Sequence, residues 1–214
     1  MAENRPRGEL QELDISQAHQ FQIPTKRINE GEDVEFWLTS WAYTDLMTFM
    51  LQLNAAMFPS EKSDGTIHAW TLASPLHYSD IITNLRKLVS QLENLIEEAP
   101  PDPGPRRFGN VSFRTWYALV EQRLDALLHE CLPKSVLELG SGVEGSEIKA
   151  KEEIKSYLLG SFGSAQRLDY GTGHELSFIA FLGCIWKLGG FGAEPSGEPF
   201  GARERQIVLG VVEP

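Results

Sequence analysis

Only two cysteines, Cys131 and Cys184, occur in the chain, and neither lies in a CxxC or histidine-rich setting. That leaves out a disulfide framework and a zinc module, and it fits a reducing compartment. Basic charge is also short: 19 Lys and Arg stand against 30 Asp and Glu, a formal net charge of −11. This balance disfavours nucleic acid and anionic membrane as partners, because both need clustered Lys and Arg. It leaves basic protein surfaces open. The opening "MAENRPRGELQELD" lacks the apolar stretch of a secretory signal. The most apolar run, 176–188, is broken by Lys187 and is too short to span a bilayer. The expectation is a soluble intracellular protein.

Some signatures of chemistry are missing as well. None of His19, His68, His77, His129 and His174 has a histidine four residues away or an HExxH context, so histidine metal ligation has little support. No GxSxG elbow supports a serine nucleophile. Period-two alternation is absent, which removes the usual sign of half-buried strands.

Helical periodicity is what remains, on a composition of 42% hydrophobic and 23% charged residues that suits one globular domain or two small ones. The first twenty residues are polar and aperiodic, a flexible lead-in. Asp33 suits the cap of a short helix carrying Val34, Phe36, Trp37 and Leu38. Ala42, Leu46, Phe49, Met50, Leu53 and Met57 then share one helical face. Ser74 and Pro75 read as cap and first position of a third helix, whose stripe includes Ile82, Leu85, Leu88 and Leu92. "PPDPGPRR" (100–107) is a stiff linker between an N-terminal helical region, 21–99, and a core region, 108–214. A helix with Phe113, Trp116, Tyr117, Val120, Leu124 and Leu128 on one side follows, then one near 148–159 and an apolar one at 174–188. The fold class is all-α. "EPFGARERQIVLGVVEP" reads as the first turns of a further helix, cut off while still apolar, so an incomplete C-terminus is expected.

Two glycine-rich stretches invite chemistry. In "VLELGSGVEG" (136–145), Gly140, Gly142 and Gly145 fit G-x-G-x-x-G, similar to the cofactor loop of S-adenosylmethionine-dependent methyltransferases. That reading needs a strand before the loop and further β–α units. Helical periodicity on both sides favours a plain acidic loop. In "RLDYGTGHE" (167–175), Thr172 and Glu175 have capping-box spacing, which makes a well-capped helix start. The same stretch suits an anion site. Gly171 and Gly173 leave backbone amides uncovered, the helix dipole favours negative charge, and Arg167 lies close by. Asp169 would orient Arg167 or hold a divalent cation through water. Cap and anion site are compatible. "RRFGNVSFRTWY" (106–117) sets Arg106, Arg107 and Arg114 among aromatics, which reads first as core rings with arginines laid over them.

"RRFGNVSFRTW", "YLLGSFGSAQRLDYGTGHELSFIAFLGCIWKLG" and the upstream "FQIPTKRINEGEDVEFWLTSWAYTDLMTFMLQLN" together closely resemble the phosphotyrosyl phosphatase activator family, activators of protein phosphatase 2A. Of its fungal branches, the chain is more similar to activator 1. The resemblance implies an all-α fold with core, linker and lid regions. It implies binding of ATP with Mg²⁺, engagement of the phosphatase 2A catalytic subunit, and peptidyl-prolyl cis–trans isomerase activity on a prolyl-containing segment. A cytoplasmic and nuclear location goes with it. The family's nucleotide contacts fall here on Arg167, Thr172 and Gly173, while Asp169, Tyr170, Gly171, His174 and Glu175 match the motif and shape the site. The resemblance also implies a further C-terminal helix and a Gly-Val-Trp-Gly-Leu-Asp-Asp-like stretch that complete the metal site and peptide cleft. A non-enzymatic phosphatase assembly factor is the alternative.

Overall fold

Ile82, Leu85, Leu88 and Leu92 recur at helical spacing, and all are buried on one face of the helix Asp80–Asn94. Val120, Leu124, Leu128 and Cys131 do the same on Ser112–Cys131. The two stripes face each other, and each buried leucine contributes about 1.5–3 kcal/mol by leaving water. The computed structural model describes residues 8–61, 64–104, 109–140, 148–193 and 201–213. In chain order the helices are α1 (Gly31–Leu38), α2 (Trp41–Ala56), α3 (Asp80–Asn94), α4 (Ser112–Cys131), α5 (Lys134–Leu137), α6 (Ala150–Gly160), α7 (Thr172–Lys187) and α8 (Ala202–Ile207). A π-helical turn, Val208–Val212, continues α8. Among the described residues the only strands are a short antiparallel pair, β1 (Ser60–Glu61) with β2 (Ile67–His68). The all-α expectation stands.

α6 and α7 pack together most extensively, α2 lies against α7 and α8, and α3 bridges α4 and the π-turn. That turn approaches α3 closely: a Cβ on Gly210 would sit 2.7 Å from Ile82 and 2.8 Å from Tyr78. Among the described residues no helix is long and apolar enough to cross a membrane.

Several local expectations change. Asp33 is not the N-cap of α1. Glu30 is, and Asp33 in the first turn accepts N–H bonds from Asn29 and Glu30, which hold its carboxyl below the usual range. Ser74 and Pro75 do not start α3, whose N-cap is Ser79. The Ser74 hydroxyl accepts from Thr71 in a local turn. Tyr78 donates to Leu209, and the Ser79 amide donates to Gln206, so contacts with the C-terminal segment hold this stretch extended. On α2, Met50 is exposed, and Gln52 is buried beside Phe49 and Leu53.

The polar segment 8–20 is anchored. Leu10 is buried, its carbonyl accepts the Trp186 indole N–H at 2.7 Å, and the Leu13 amide donates to Lys187. "VLEL" is not a strand: Val136 and Leu137 end the short helix α5, and Gly140 pairs only as an isolated bridge with Lys149. The strand that a methyltransferase loop requires is therefore missing. Gly142 and Gly145 lie outside the described residues, as do Arg106 and Arg107.

Candidate functional site

The segment 161–171 turns the chain sharply from α6 into α7. Ser164 and Asp169 form an isolated bridge, with the Ser164 amide donating to Asp169 at 3.0 Å and the Leu168 amide to Ser164 at 2.7 Å. The Ser164 hydroxyl accepts the Arg167 amide at 3.1 Å. So tight a loop needs unusual backbone. Gly163 sits at φ 104°, where a Cβ would meet the Asp169 carbonyl at 2.8 Å. Leu168 has φ 56°, the one positive φ outside glycine among the described residues, at a steric cost of about 1–2 kcal/mol. Such strain persists only where the surroundings fix it, and it clusters at functional sites.

Arg114 is one of the fixing groups. It does not lie over the aromatic rings as expected. Its guanidinium donates from Nε to Ala165 at 3.0 Å and from Nη2 to Gln166 at 3.2 Å, which pins the backbone just before Arg167.

Arg167 and Asp169 form an exposed ion pair, Nε to Oδ2 at 2.6 Å. The hydrogen bond from Arg167, reinforced by its charge, holds the Asp169 carboxyl below its ordinary value. A depressed folded-state pKa means that the pairing is fully present above about pH 4 and is lost as pH falls through the folded value. Side-chain carboxyl NMR is expected to give Asp169 a midpoint below that of an ordinary aspartate, moving up in Arg167→Ala. An unchanged midpoint in that variant would show that the pair does not form in solution.

The capping-box reading of Thr172 and Glu175 does not hold. Gly171 is the N-cap, Thr172 is the first helical residue, and no side chain caps the helix. The entry residue is glycine in extended geometry, so it has no hydroxyl to offer. The first-turn amides of Thr172 and Gly173 are thus free of side-chain caps, and a Cβ on Gly173 would meet nothing within 4 Å. His174 turns the other way. Its Nδ1 lies 2.6 Å from the Gly160 carbonyl, so it carries the proton and donates, and its ring stacks on Tyr170 at 5.5 Å.

Beside this helix start opens a cleft of about 760 Å³ lined by Tyr170, Thr172 and Glu175 together with Phe113, Trp116 and Phe178. Trp116 is fixed by an indole N–H donated to Leu92 and by an edge-to-face contact with Phe162 at 5.2 Å. The expected site residues therefore divide. Thr172, Tyr170 and Glu175 face the cleft, Gly173 and Gly171 form the exposed entry, Arg167 and Asp169 pair on the outer loop, and His174 braces α6. Among the described residues no cluster of three or more His, Cys, Asp or Glu is placed to hold a metal.

These features define a mainly helical protein that presents an uncapped, glycine-flanked helix start at the edge of an aromatic cleft. The family profile described as "Phosphotyrosyl phosphate activator (PTPA) protein" matches residues 24–214. The chain belongs to that family. It is 54% identical to the serine/threonine-protein phosphatase 2A activator 1 of Emericella nidulans over 96% of its length, covering 46% of that relative. It is 41% identical to the activator 1 of Saccharomyces cerevisiae over 80% of its length, covering 39% of that relative. The crystal structure of the PP2A phosphatase activator Ypa1 aligns with a TM-score of 0.67 at 28% identity, over 94% of this chain and 61% of that one. The chain spans about half the length of the curated relatives it matches.

Proposed function

We propose that the chain is a phosphatase 2A activator that binds Mg²⁺-ATP at the start of α7 and acts on the phosphatase catalytic subunit. The observation that carries the nucleotide reading is the uncapped α7 start beside Arg167. Unsatisfied amides and the helix dipole favour a phosphate, and Arg167, five positions before Thr172 and paired with Asp169 on the exposed loop, would turn from Asp169 to join it. Bound Mg²⁺-ATP would supply negative charge and a large ordered surface at the mouth of the cleft. The cleft itself suits a prolyl segment, since Trp116, Phe113 and Phe178 offer flat apolar faces for a pyrrolidine ring. Isomerisation needs no nucleophile. It needs a site that holds the twisted amide better than the planar one, against a barrier of about 18–20 kcal/mol. Binding of the catalytic subunit without turnover is the second reading, favoured by the openness of this apolar cleft.

The test is a thermal melt of the chain with and without Mg²⁺-ATP, followed by activation of the phosphatase 2A catalytic subunit. Nucleotide at a hundred times its dissociation constant is expected to stabilise by about 2.7 kcal/mol. Arg167→Ala should lose that gain and most of the activation while melting normally without nucleotide. A wild-type chain that gains nothing from Mg²⁺-ATP would overturn the site. Turnover of a free prolyl peptide, set against stoichiometric activation, separates isomerase from assembly factor.

A further inference from the structure

A second cavity, of about 320 Å³, lies away from the start of α7, enclosed by α2, α6, the later turns of α7 and the anchored segment after Gly8. Its volume is at the lower end of the range for small-molecule sites. Phe49 and Ile154 line it with apolar surface, and Trp37 and Phe21 add aromatic surface. Two carboxylates enter these walls. Asp45 is already paired with the ammonium of Lys187. Glu153 is half satisfied: Oε2 accepts the Gln22 amide at 2.9 Å, and Oε1 makes no hydrogen bond among the described residues. Tyr157 lines the same space, and its hydroxyl makes no hydrogen bond among the described residues. His19, at the edge of the cavity, packs its ring edgewise on Phe21 at 4.8 Å.

The lining sets two carboxylates against the single ammonium of Lys187; Lys187 and His19 both act on Glu153 through their charge, yet its Oε1 remains without a hydrogen bond among the described residues. We infer that this cavity binds a small amphiphilic amine, a single protonated amine on a compact apolar or aromatic body. The ammonium would take the open oxygen of Glu153 and lie near the aromatic faces, and the hydrocarbon body would displace water from the apolar walls. Burial raises the Glu153 carboxyl above its usual range, a penalty that a bound cation offsets. Bulk charge alone is not the attraction, because the site demands both an amine and a shape.

The probes are 2-phenylethylamine, its neutral analogue 2-phenylethanol, and methylammonium as charge without body. They are titrated into the whole chain by calorimetry and amide NMR, without nucleotide. The amine is expected to bind saturably, to shift the amides of Ala180, Gly183 and Cys184, and to exceed the alcohol by about tenfold, the value of one charge-assisted hydrogen bond. Methylammonium should not saturate. Glu153→Gln keeps an acceptor for the Gln22 amide and should bring amine and alcohol to equal affinity. Ala180→Leu, which fills the cavity, should abolish both. Equal binding of amine and alcohol by the wild-type chain, no saturable shift, or shifts confined to the Tyr170 and Thr172 end of α7 would each overturn the inference. The wild-type comparison decides the matter even if a variant fails to fold.

Discussion

Replacing Gln52 by leucine is expected to cost about 3–5 kcal/mol of stability, although leucine is close in size and more apolar. Gln52 is only 7% exposed, and it joins two buried groups. Its Oε1 accepts the Leu10 amide at 2.8 Å, and its Nε2 donates to Oε1 of Glu204 at 2.7 Å. Glu204 is 5% exposed, and its Oε2 has no partner among the described residues. In Gln52→Leu the carboxylate loses a donor it cannot replace from water, and the Leu10 amide is orphaned beside the Trp186 bond to the Leu10 carbonyl. Removing one partner of a buried set is worse than removing both. Gln52→Leu combined with Glu204→Leu should therefore recover a substantial part of the loss. Urea unfolding checks this through the midpoint at constant slope. A single-variant loss under about 1 kcal/mol would mean that the network is hydrated in solution.

That network also marks where sequence reading stops. The stripes of α3 and α4 were legible because each is a local period, and Leu85, Leu88, Leu124 and Leu128 are buried where the spacing puts them. Gln52 interrupts such a stripe, and its partners lie 42 and 152 residues away, so nothing local identifies it as structural. The displaced start of α3 has the same origin. Ser74–Pro75 is a good local start signal, but Gln206 and Leu209, which hold the following backbone extended, come from the far end of the chain. At the candidate site the motif was legible as glycines, arginine and a helix start. The capping box was not there, because Gly171 rather than Thr172 occupies the cap. Arg114 was visible as a residue beside aromatics, but its carbonyl partners, Ala165 and Gln166, carry no side-chain signal at all.

The glycines of the site loop give the second large effect, and they give it with opposite signs. Gly163→Ala is expected to destabilise by about 2–4 kcal/mol, combining a disfavoured positive φ with loss of the Ser164–Asp169 bridge. At φ 104° an added Cβ would lie 2.8 Å from the Asp169 carbonyl, a backbone atom that cannot rotate away. The loop must open, and opening it moves Asp169 off Arg167 and releases the strained Leu168. Gly173→Ala meets nothing within 4 Å and lies in the first turn of α7. Replacing a helical glycine by alanine there should stabilise the chain by about 0.5–1 kcal/mol. If a phosphate approaches the bare amides, however, the new methyl crowds it. Gly173→Ala should then raise the melting midpoint of the free chain and shrink the added rise from Mg²⁺-ATP, whereas Gly163→Ala should lower both. Paired melts of the two variants with and without nucleotide read all four quantities. A Gly173→Ala chain that keeps the full nucleotide rise would place the anion elsewhere than on the amides of the α7 start, and a stable Gly163→Ala chain would show that the loop tolerates another backbone path.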